Sequence, residues 1–418
     1  MAAGSTSDTP ISPAVTCRSL ESGLRLVHVL LPGLPVAYCG AAVRVGSRDE
    51  APDCPGLAHF VEHTIFKGTA RRSSWNILNR MEAVGGELNA YTTKEETVVY
   101  SVFPGADPSR AADLIADLVH HSVFPTRELD KERDVVADEI DSYLDSPADA
   151  VFDDYEDLLF AGSSLGHNIL GTRKALAGFT SETCRDFLVK HYTATNMVVF
   201  YGGSMPAGRV FTILERMFGN LRRGTAAAPV AAPPIVEPFN AVRHVDTHQC
   251  HTIVGARIGG LAAPDRYATA LLVNILGGPG MNSLLNVALR ERRGLVYSVE
   301  ASTGLFSDCG VLAIYYGCDP ADNDRCRRLV TSTVSRIADG LITPVRLAKA
   351  KKQFLGQLTV GSTALESRVT GIAHATLFCG RAAIAAEIAD AISAVDCDTL
   401  RTAAAALLPL SSLTLCPR

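Results

Sequence analysis

His59, Glu62 and His63 stand within five consecutive residues, His59-Phe60-Val61-Glu62-His63. Residues four apart share one face of a helix, so a helix here would aim two imidazoles at one point. Zinc takes histidine nitrogens together with a carboxylate oxygen and keeps one position open for water. Glu62 follows His59 by three residues and precedes His63 by one, at the edge of that face. There its carboxylate would reach a metal-held water without being a ligand itself. The chemistry this equips is hydrolysis: a metal lowers the pKa of water to about 7, and a carboxylate takes the proton as a carbonyl is attacked.

Two histidines need a third ligand. Residues 129–144, LDKERDVVADEIDSYL, place Val135, Val136, Ile140, Tyr143 and Leu144 at helical spacing. Glu132 and Glu139 lie two turns apart and flank that apolar stripe. Carboxylates facing a core need a partner or a metal. Asp130, Asp134, Asp138 and Asp141 read as a solvated face. Helix geometry leaves three readings open. Glu139 is the ligand, Glu132 is the ligand, or both only cap and solvate the helix.

The elements that must position these groups follow from periodicity. LRLVHVLL and VAYCGAAVRV read as strands broken by Pro-Gly and Gly turns. PGLAHFVEHTIFKGT has Leu57, Val61, Ile65 and Phe66 at helical spacing, and SSWNILNRMEAVGG is a second helix stopped by Gly85-Gly86. GELNAYTTKEETVVYSVF reads as two strands around a Thr-Lys-Glu turn. Helical patterns dominate from Pro108 to about Leu144 and again after Ser181, and MVVFYGG closes the half as a strand. Residues 225–239, TAAAPVAAPPIVEPF, hold four prolines and read as an extended linker. The expected organisation is residues 1–224 as a metal-binding catalytic domain, 225–239 as linker and 240–418 as a second, similar domain. The second half repeats the grammar: HTIVGARIGG, a glycine-stopped helix, MNSLLNVALRERRG, the strand pair LVYSVEAST and GVLAIYYGCD, helices, and SSLTLCP. Each half fits an α+β layer, a mainly antiparallel sheet covered by helices.

HFVEH, Glu132, and Glu139 at 76 residues past His63 together resemble the inverted-motif zinc peptidases, the pitrilysin and mitochondrial-processing-peptidase family M16. The resemblance implies one zinc per chain. It makes His59, His63 and Glu139 the ligands, Glu62 the general base, and Glu132 a support that orients a ligand. GGELNAYTTKEETVVY looks like the family's strand pair whose exposed edge receives substrate, with Asn89 and Ala90 at the contact positions. SLGHNILGT, residues 164–172, resembles a family loop whose role the residues do not reveal. LGGPGMNSLLNVALRERRGLVYSVEA is similar to the family's second-half signature and implies that Arg290 and Tyr297 reach bound substrate. An arginine can anchor a peptide carbonyl, and a tyrosine hydroxyl can donate to a developing oxyanion. On their residues alone, Arg290 reads as a surface helix arginine and Tyr297 as a strand core residue. GGPG at 277–280 is poorer in glycine than the loop of the processing-peptidase partner subunit, and the chain is more similar to short bacterial members. Large members join two such halves in one chain around a closed chamber. A single half implies a homodimer in which Arg290 and Tyr297 of one subunit complete the zinc site of the other. The expected activity is endoproteolysis of peptides or small unfolded proteins inside that chamber.

Composition bounds the alternatives. The 418 residues include 39 basic and 44 acidic ones, a net charge of −5, so no basic excess exists to offset nucleic-acid phosphates. Hydrophobic content of 47 % and charged content of 20 % are ordinary for a globular chain and exclude a disordered or collagen-like one. The N-terminus shows neither an apolar signal core nor an arginine-rich presequence, and no apolar run is long enough to span a bilayer. The expectation is a soluble, cytoplasmic protein without membrane partners. Eleven cysteines with no C-x-x-C read as reduced core thiols. His244, His248, Cys250 and His251 form a weaker metal-like cluster, which the following TIVGARIG assigns to a strand entry, where such side chains alternate. Lys349, Lys351 and Lys352 read as a solvated helix face.

Overall fold

The central strands of the first half are buried on both faces, which explains their continuous rather than alternating apolar runs. The structure is a computed structural model that describes residues 8–12, 14–224, 232–382 and 385–418. Strands β1 (Asp8–Ser12), β2 (Val15–Ser19), β3 (Arg25–Leu30), β4 (Val36–Val43), β5 (Glu87–Thr92), β6 (Thr97–Pro104) and β7 (Met197–Gly203) form one sheet in the order β1-β2-β3-β7-β4-β6-β5. Only the β3–β7 pair is parallel. Successive residues face opposite sides. Leu26, Ala41, Val99 and Val199 enter one core with Phe60, Val61, Leu114, Leu118 and Phe211 from covering helices. Their neighbours Val27, Ala42, Val98 and Val198 enter another with Val369, Ile372, Ala373 and Leu377 of the Leu365–Cys379 helix.

The helices that concern the site are α1 (Leu57–Thr64), α2 (Ser74–Glu82), α3 (Ser109–His121) and α4 (Thr126–Leu144). The helical stretch from Pro108 to Leu144 breaks at Ser122–Pro125, where Phe124 takes a positive φ of 50° and Pro125 precedes α4.

In the second half, β8 (Asn240–Val245), β9 (Cys250–Gly259), β10 (Val296–Leu305), β11 (Cys309–Cys318) and β12 (Ser411–Pro417) form a five-stranded sheet in the order β10-β11-β9-β12-β8. Only β12–β8 is parallel. The strand order β8-β12-β9-β11-β10 repeats that of β3-β7-β4-β6-β5, so the repeated grammar of the sequence is a repeated topology. The architecture is the expected α+β one, two mainly antiparallel sheets each covered by helices.

The chain divides into two compact units that do not follow a single cut. One comprises Met1–Ile140, Asn168–Val230 and Ser362–Ile384; the other comprises Asp141–His167, Ala231–Gly361 and Ala385–Arg418. Each half of the sequence lends a helix to the other half's sheet. Leu365–Cys379 belongs to the first unit. The Pro147–Leu159 helix belongs to the second, where Val151, Tyr155 and Leu159 pack on Ile253, Val311 and Leu413. An amphipathic helix carries an apolar face but no label for the sheet it will cover, so residues 1–224 and 240–418 could not reveal the exchange. Of the expected linker, residues 225–231 lie outside the described residues, and 232–239 run without helix or strand up to Phe239.

Two expectations need correction. Cysteines are not all free: Cys250 and Cys416 form a disulfide between β9 and β12, with Cα atoms 4.4 Å apart. They are 166 residues apart in sequence, and only the β9–β12 register brings them together. Tyr297 is not a core residue but 86 % exposed. No helix among the described residues is long and apolar enough to cross a membrane.

Candidate metal centre

Helix α1 forms as its pattern requires. Leu57, Ala58, Phe60, Val61 and Thr64 are buried, which fixes the rotation of the helix and sends His59 and His63 to a common side. Their ring centroids lie 4.5 Å apart. The helix starts at Gly56, whose φ of 94° is left-handed. Its first N–H groups have no partner within the helix. The carboxylate of Glu50 supplies one, accepting the Gly56 N–H at 2.8 Å and the Ala58 N–H at 2.7 Å.

The loop of uncertain role finds a structural one at its end. A Cβ on Gly171, where φ is +70°, would sit 2.1 Å from the Pro55 carbonyl oxygen. A Cβ on Gly56 would sit 2.6 Å from the Leu170 carbonyl oxygen. Residues 170–171 therefore press directly on the backbone that launches α1.

Helix α4 brings the third group. Val136 and Ile140 are buried as the stripe predicts, whereas Val135 and Leu144 are exposed. Asp130, Asp134, Asp138 and Asp141 are exposed, as expected of a solvated face. Glu139 points its Oε2 to 3.4 Å from His63 Nε2 and 3.7 Å from His59 Nε2. The three donor atoms lie within 4.8 Å of one another, and the group is the only such cluster of at least three His, Cys, Asp or Glu side chains among the described residues. Donors about 2.0–2.2 Å from a tetrahedral ion are separated by roughly 3.3–3.6 Å, so this set fits zinc. The cluster at 244–251 does not converge. His244 Nδ1 meets the Pro417 carbonyl at 2.7 Å, and His251 Nδ1 meets the Tyr315 hydroxyl at 2.9 Å.

Glu132 is buried and sits on the other side of His63, its Oε1 3.2 Å from Nδ1. Its Oε2 is 2.6 Å from Lys67 Nζ. Of the two glutamates, Glu139 is the one whose carboxylate is turned to both imidazoles, while Glu132 meets His63 and Lys67.

The electrostatics of these groups follow from burial and from their neighbours. Burial, then His63, pulls the His59 imidazole down to about 3, which leaves it neutral and able to coordinate. Burial also pulls on His63, but Glu132, Glu62 and Glu139 outweigh it and raise its pKa. Burial would raise Glu132, and its hydrogen bonds to His63 and Lys67 hold it low. Glu62 is raised by burial, with His63 and the Thr92 hydroxyl opposing. A base with a raised pKa is better matched to proton transfer near neutrality.

Thr92 belongs to β5, which is the last strand of its sheet and pairs only with β6. Asn89 and Ala90 lie on that edge strand, opposite Tyr100 and Val99 of β6. Arg290 and Tyr297 lie in the other compact unit and form their own pair, with the guanidinium 6.0 Å from the Tyr297 ring centroid. Arg290 sits in a π-helical stretch, Asn286–Glu291, a rare geometry that is frequent at functional sites.

Sequence reasoning missed Lys67, Glu50 and Thr92. Lys67 had a signal, since it follows His63 by four residues. Glu50 and Thr92 had none, because each acts across a loop or between elements.

Residues 30–173 match the family model described as insulinase (peptidase family M16), and residues 178–354 match that of the peptidase M16 inactive domain. An uncharacterized zinc protease of Streptomyces coelicolor is 33 % identical over 352 residues, covering 82 % of this chain and 76 % of that protein. The uncharacterized zinc protease YmxG of Bacillus subtilis is 30 % identical over 376 residues, covering 90 % of this chain and 91 % of that protein. The crystal structure of a peptidase M16 inactive domain from Pseudomonas fluorescens superposes with a TM-score of 0.90 at 19 % identity, over 97 % of this chain and 98 % of that one.

Proposed function

This chain belongs to the insulinase-type peptidase family M16, and we propose that within it the chain is a zinc-dependent endopeptidase acting on peptides or small unfolded proteins. One observation carries the reading: His59, His63 and Glu139 converge within 4.8 Å, and Glu62 lies on the same short helix. Zinc held by these three side chains supplies Lewis acidity toward a carbonyl and acidifies a water.

The remaining steps fall to the chain's own groups. A substrate strand adds to the open edge of β5 at Asn89 and Ala90, bound through its backbone and so with little sequence demand. Glu62 takes the proton released on attack and hands it to the leaving amine. Glu132 holds the His63 ring in place. Arg290 anchors the substrate, and the Tyr297 hydroxyl donates to the oxyanion that develops on the scissile carbonyl.

In this proposal residues 1–224 supply the metal chemistry, and residues 240–418, beyond the 225–239 linker, supply the substrate contacts. The active form is a homodimer enclosing a chamber, in which Arg290 and Tyr297 of one subunit complete the zinc site of the other. A closed two-fold interface is the commonest oligomeric solution. Chamber closure, rather than a deep side-chain pocket, selects substrates by size. A cytoplasmic location is part of the proposal; the nine free cysteines favour it and the Cys250–Cys416 disulfide weighs against it.

The test is metal removal. Cleavage of an unfolded peptide stops on treatment with a chelator and returns with zinc. Cleavage that survives complete metal removal would refute the zinc reading.

A further inference from the structure

His63 and Lys67 follow one another by a single helical turn, because the 3-10 turn Ile65–Lys67 continues directly from α1. Both reach across to the same carboxylate on α4. His63 Nδ1 lies 3.2 Å from Glu132 Oε1, and Lys67 Nζ lies 2.6 Å from Glu132 Oε2. The two oxygens of Glu132 are thus divided between a ring nitrogen and an ammonium group. Glu139, two turns further along α4, pairs with the two imidazoles among the described residues.

We propose that Lys67 is a positioning residue of the metal site, acting on the metal through Glu132 and His63. The inference rests on the zinc reading above and extends it by one residue. A carboxylate that accepts from Nδ1–H fixes a ligating imidazole's tautomer and orientation and leaves Nε2 for the metal. A carboxylate can do this only if it is itself held. Rotation of Glu132 about its own side chain would swing Oε1 away from His63, and the Lys67 contact at Oε2 blocks that rotation. Lys67 also engages the second oxygen and balances the charge of a buried acid beside the ligand set. Of the two glutamates that face the histidines, Glu132 is therefore committed to His63 and Lys67, and Glu139 is the one left for coordination.

The rival reading is a plain ion pair that ties the end of α1 to α4. It predicts a loss of apo-protein stability and no specific effect on metal binding. The two are separated by zinc affinity, measured on the full chain by competition with a chromophoric chelator. Loss of a group that orients a metal ligand typically weakens affinity about 10–100-fold. Lys67→Met is expected to weaken zinc binding at least about tenfold, and Lys67→Arg to restore most of it. Lys67→Met combined with Glu132→Gln is expected to bind zinc no worse than Glu132→Gln alone, because both act through one path.

Wild-type affinity in Lys67→Met would overturn the proposal, as would fully additive losses in the double variant. If wild type itself bound no zinc, the fault would lie with the zinc reading and not with Lys67. Apo-protein thermal unfolding accompanies each measurement. Should Lys67→Met fail to fold, Lys67→Gln against Lys67→Arg asks the same question, with the arginine variant expected to bind zinc more tightly and equal affinities counting against the proposal.

Discussion

The carboxylate of Glu50 closes over the start of the metal-binding helix and takes the backbone N–H of Gly56 at 2.8 Å. The same side chain takes the Ala58 N–H at 2.7 Å, one residue before His59. The helix is only Leu57–Thr64, too short to hold its shape on propensity alone. Its direction is set by the acid at its start and by the apolar residues beneath it.

Glu50→Ala should therefore cost more than an ordinary cap. Two buried donors lose their carboxylate acceptor, and a buried polar group left unsatisfied costs about 1–3 kcal/mol. The expected loss is about 2–4 kcal/mol in denaturant unfolding, with weaker zinc binding because His59 moves with the helix. A change under about 0.5 kcal/mol would show that α1 does not depend on this cap.

Gly171→Ala tests the contact behind the helix. The new methyl would meet the Pro55 carbonyl oxygen at 2.1 Å in a left-handed conformation, and neither backbone yields easily. A destabilisation of about 2 kcal/mol or more is expected. Gly105→Ala, equally left-handed at +85° but with nothing within 4 Å, should cost less, because only the backbone term remains. Equal losses in the two variants would refute the close-contact account.

Asp49 gives a pH signature. Burial raises its carboxyl from 3.8 to about 6, with the Gly46 N–H opposing, Glu95 adding and Arg48 and Arg44 lowering. Between those values the folded chain keeps a proton that the unfolded chain has released. Its contribution to stability is thus full below the unfolded pKa, falls as pH rises through that window, and stays lost above it. Asp49→Asn retains an acceptor for Gly46 and removes the titration. It should stabilise the fold by on the order of 2 kcal/mol at about pH 8 and by little at about pH 4, read from unfolding midpoints at both. The same increment at both pH values would contradict the assignment.

The division of labour between subunits has its own test. Arg290→Ala and Glu62→Gln should each be nearly inactive alone, with Arg290→Ala retaining zinc. Mixed and allowed to exchange, they should recover about a quarter of wild-type activity, since half the dimers are mixed and each mixed dimer has one complete site. No recovery, with exchange verified by mass, would count against cross-completion.

Much of this site was legible because it is local. The i, i+4 spacing of His59 and His63 is a property of one helix, and the structure returns it directly. The choice between Glu132 and Glu139 was not legible from helix geometry and came only from the family resemblance. Both flank the same stripe, and they differ only in which side of the His63 ring they meet, a matter of tertiary placement. Strand runs such as MVVFYGG were clear, and so was the shared grammar of the halves. The exchange of the Pro147–Leu159 and Leu365–Cys379 helices was hidden, because burial patterns name no partner. Cys250 and Cys416 were hidden for a similar reason, their pairing being set by a register between distant strands. The stretch around Arg290 read as an ordinary helix, since nothing in its residue types distinguishes a π turn.

The central claim is that His59, His63 and Glu139 hold zinc and Glu62 acts as the base. Zinc content by elemental analysis, run beside cleavage of an unfolded peptide on wild type and Glu62→Gln, tests it most directly. The account predicts near-stoichiometric zinc in both proteins and cleavage by the wild type alone. Zinc-free wild type without cleavage would contradict the metal site, and a Glu62→Gln protein that cleaves at the wild-type rate would contradict the base.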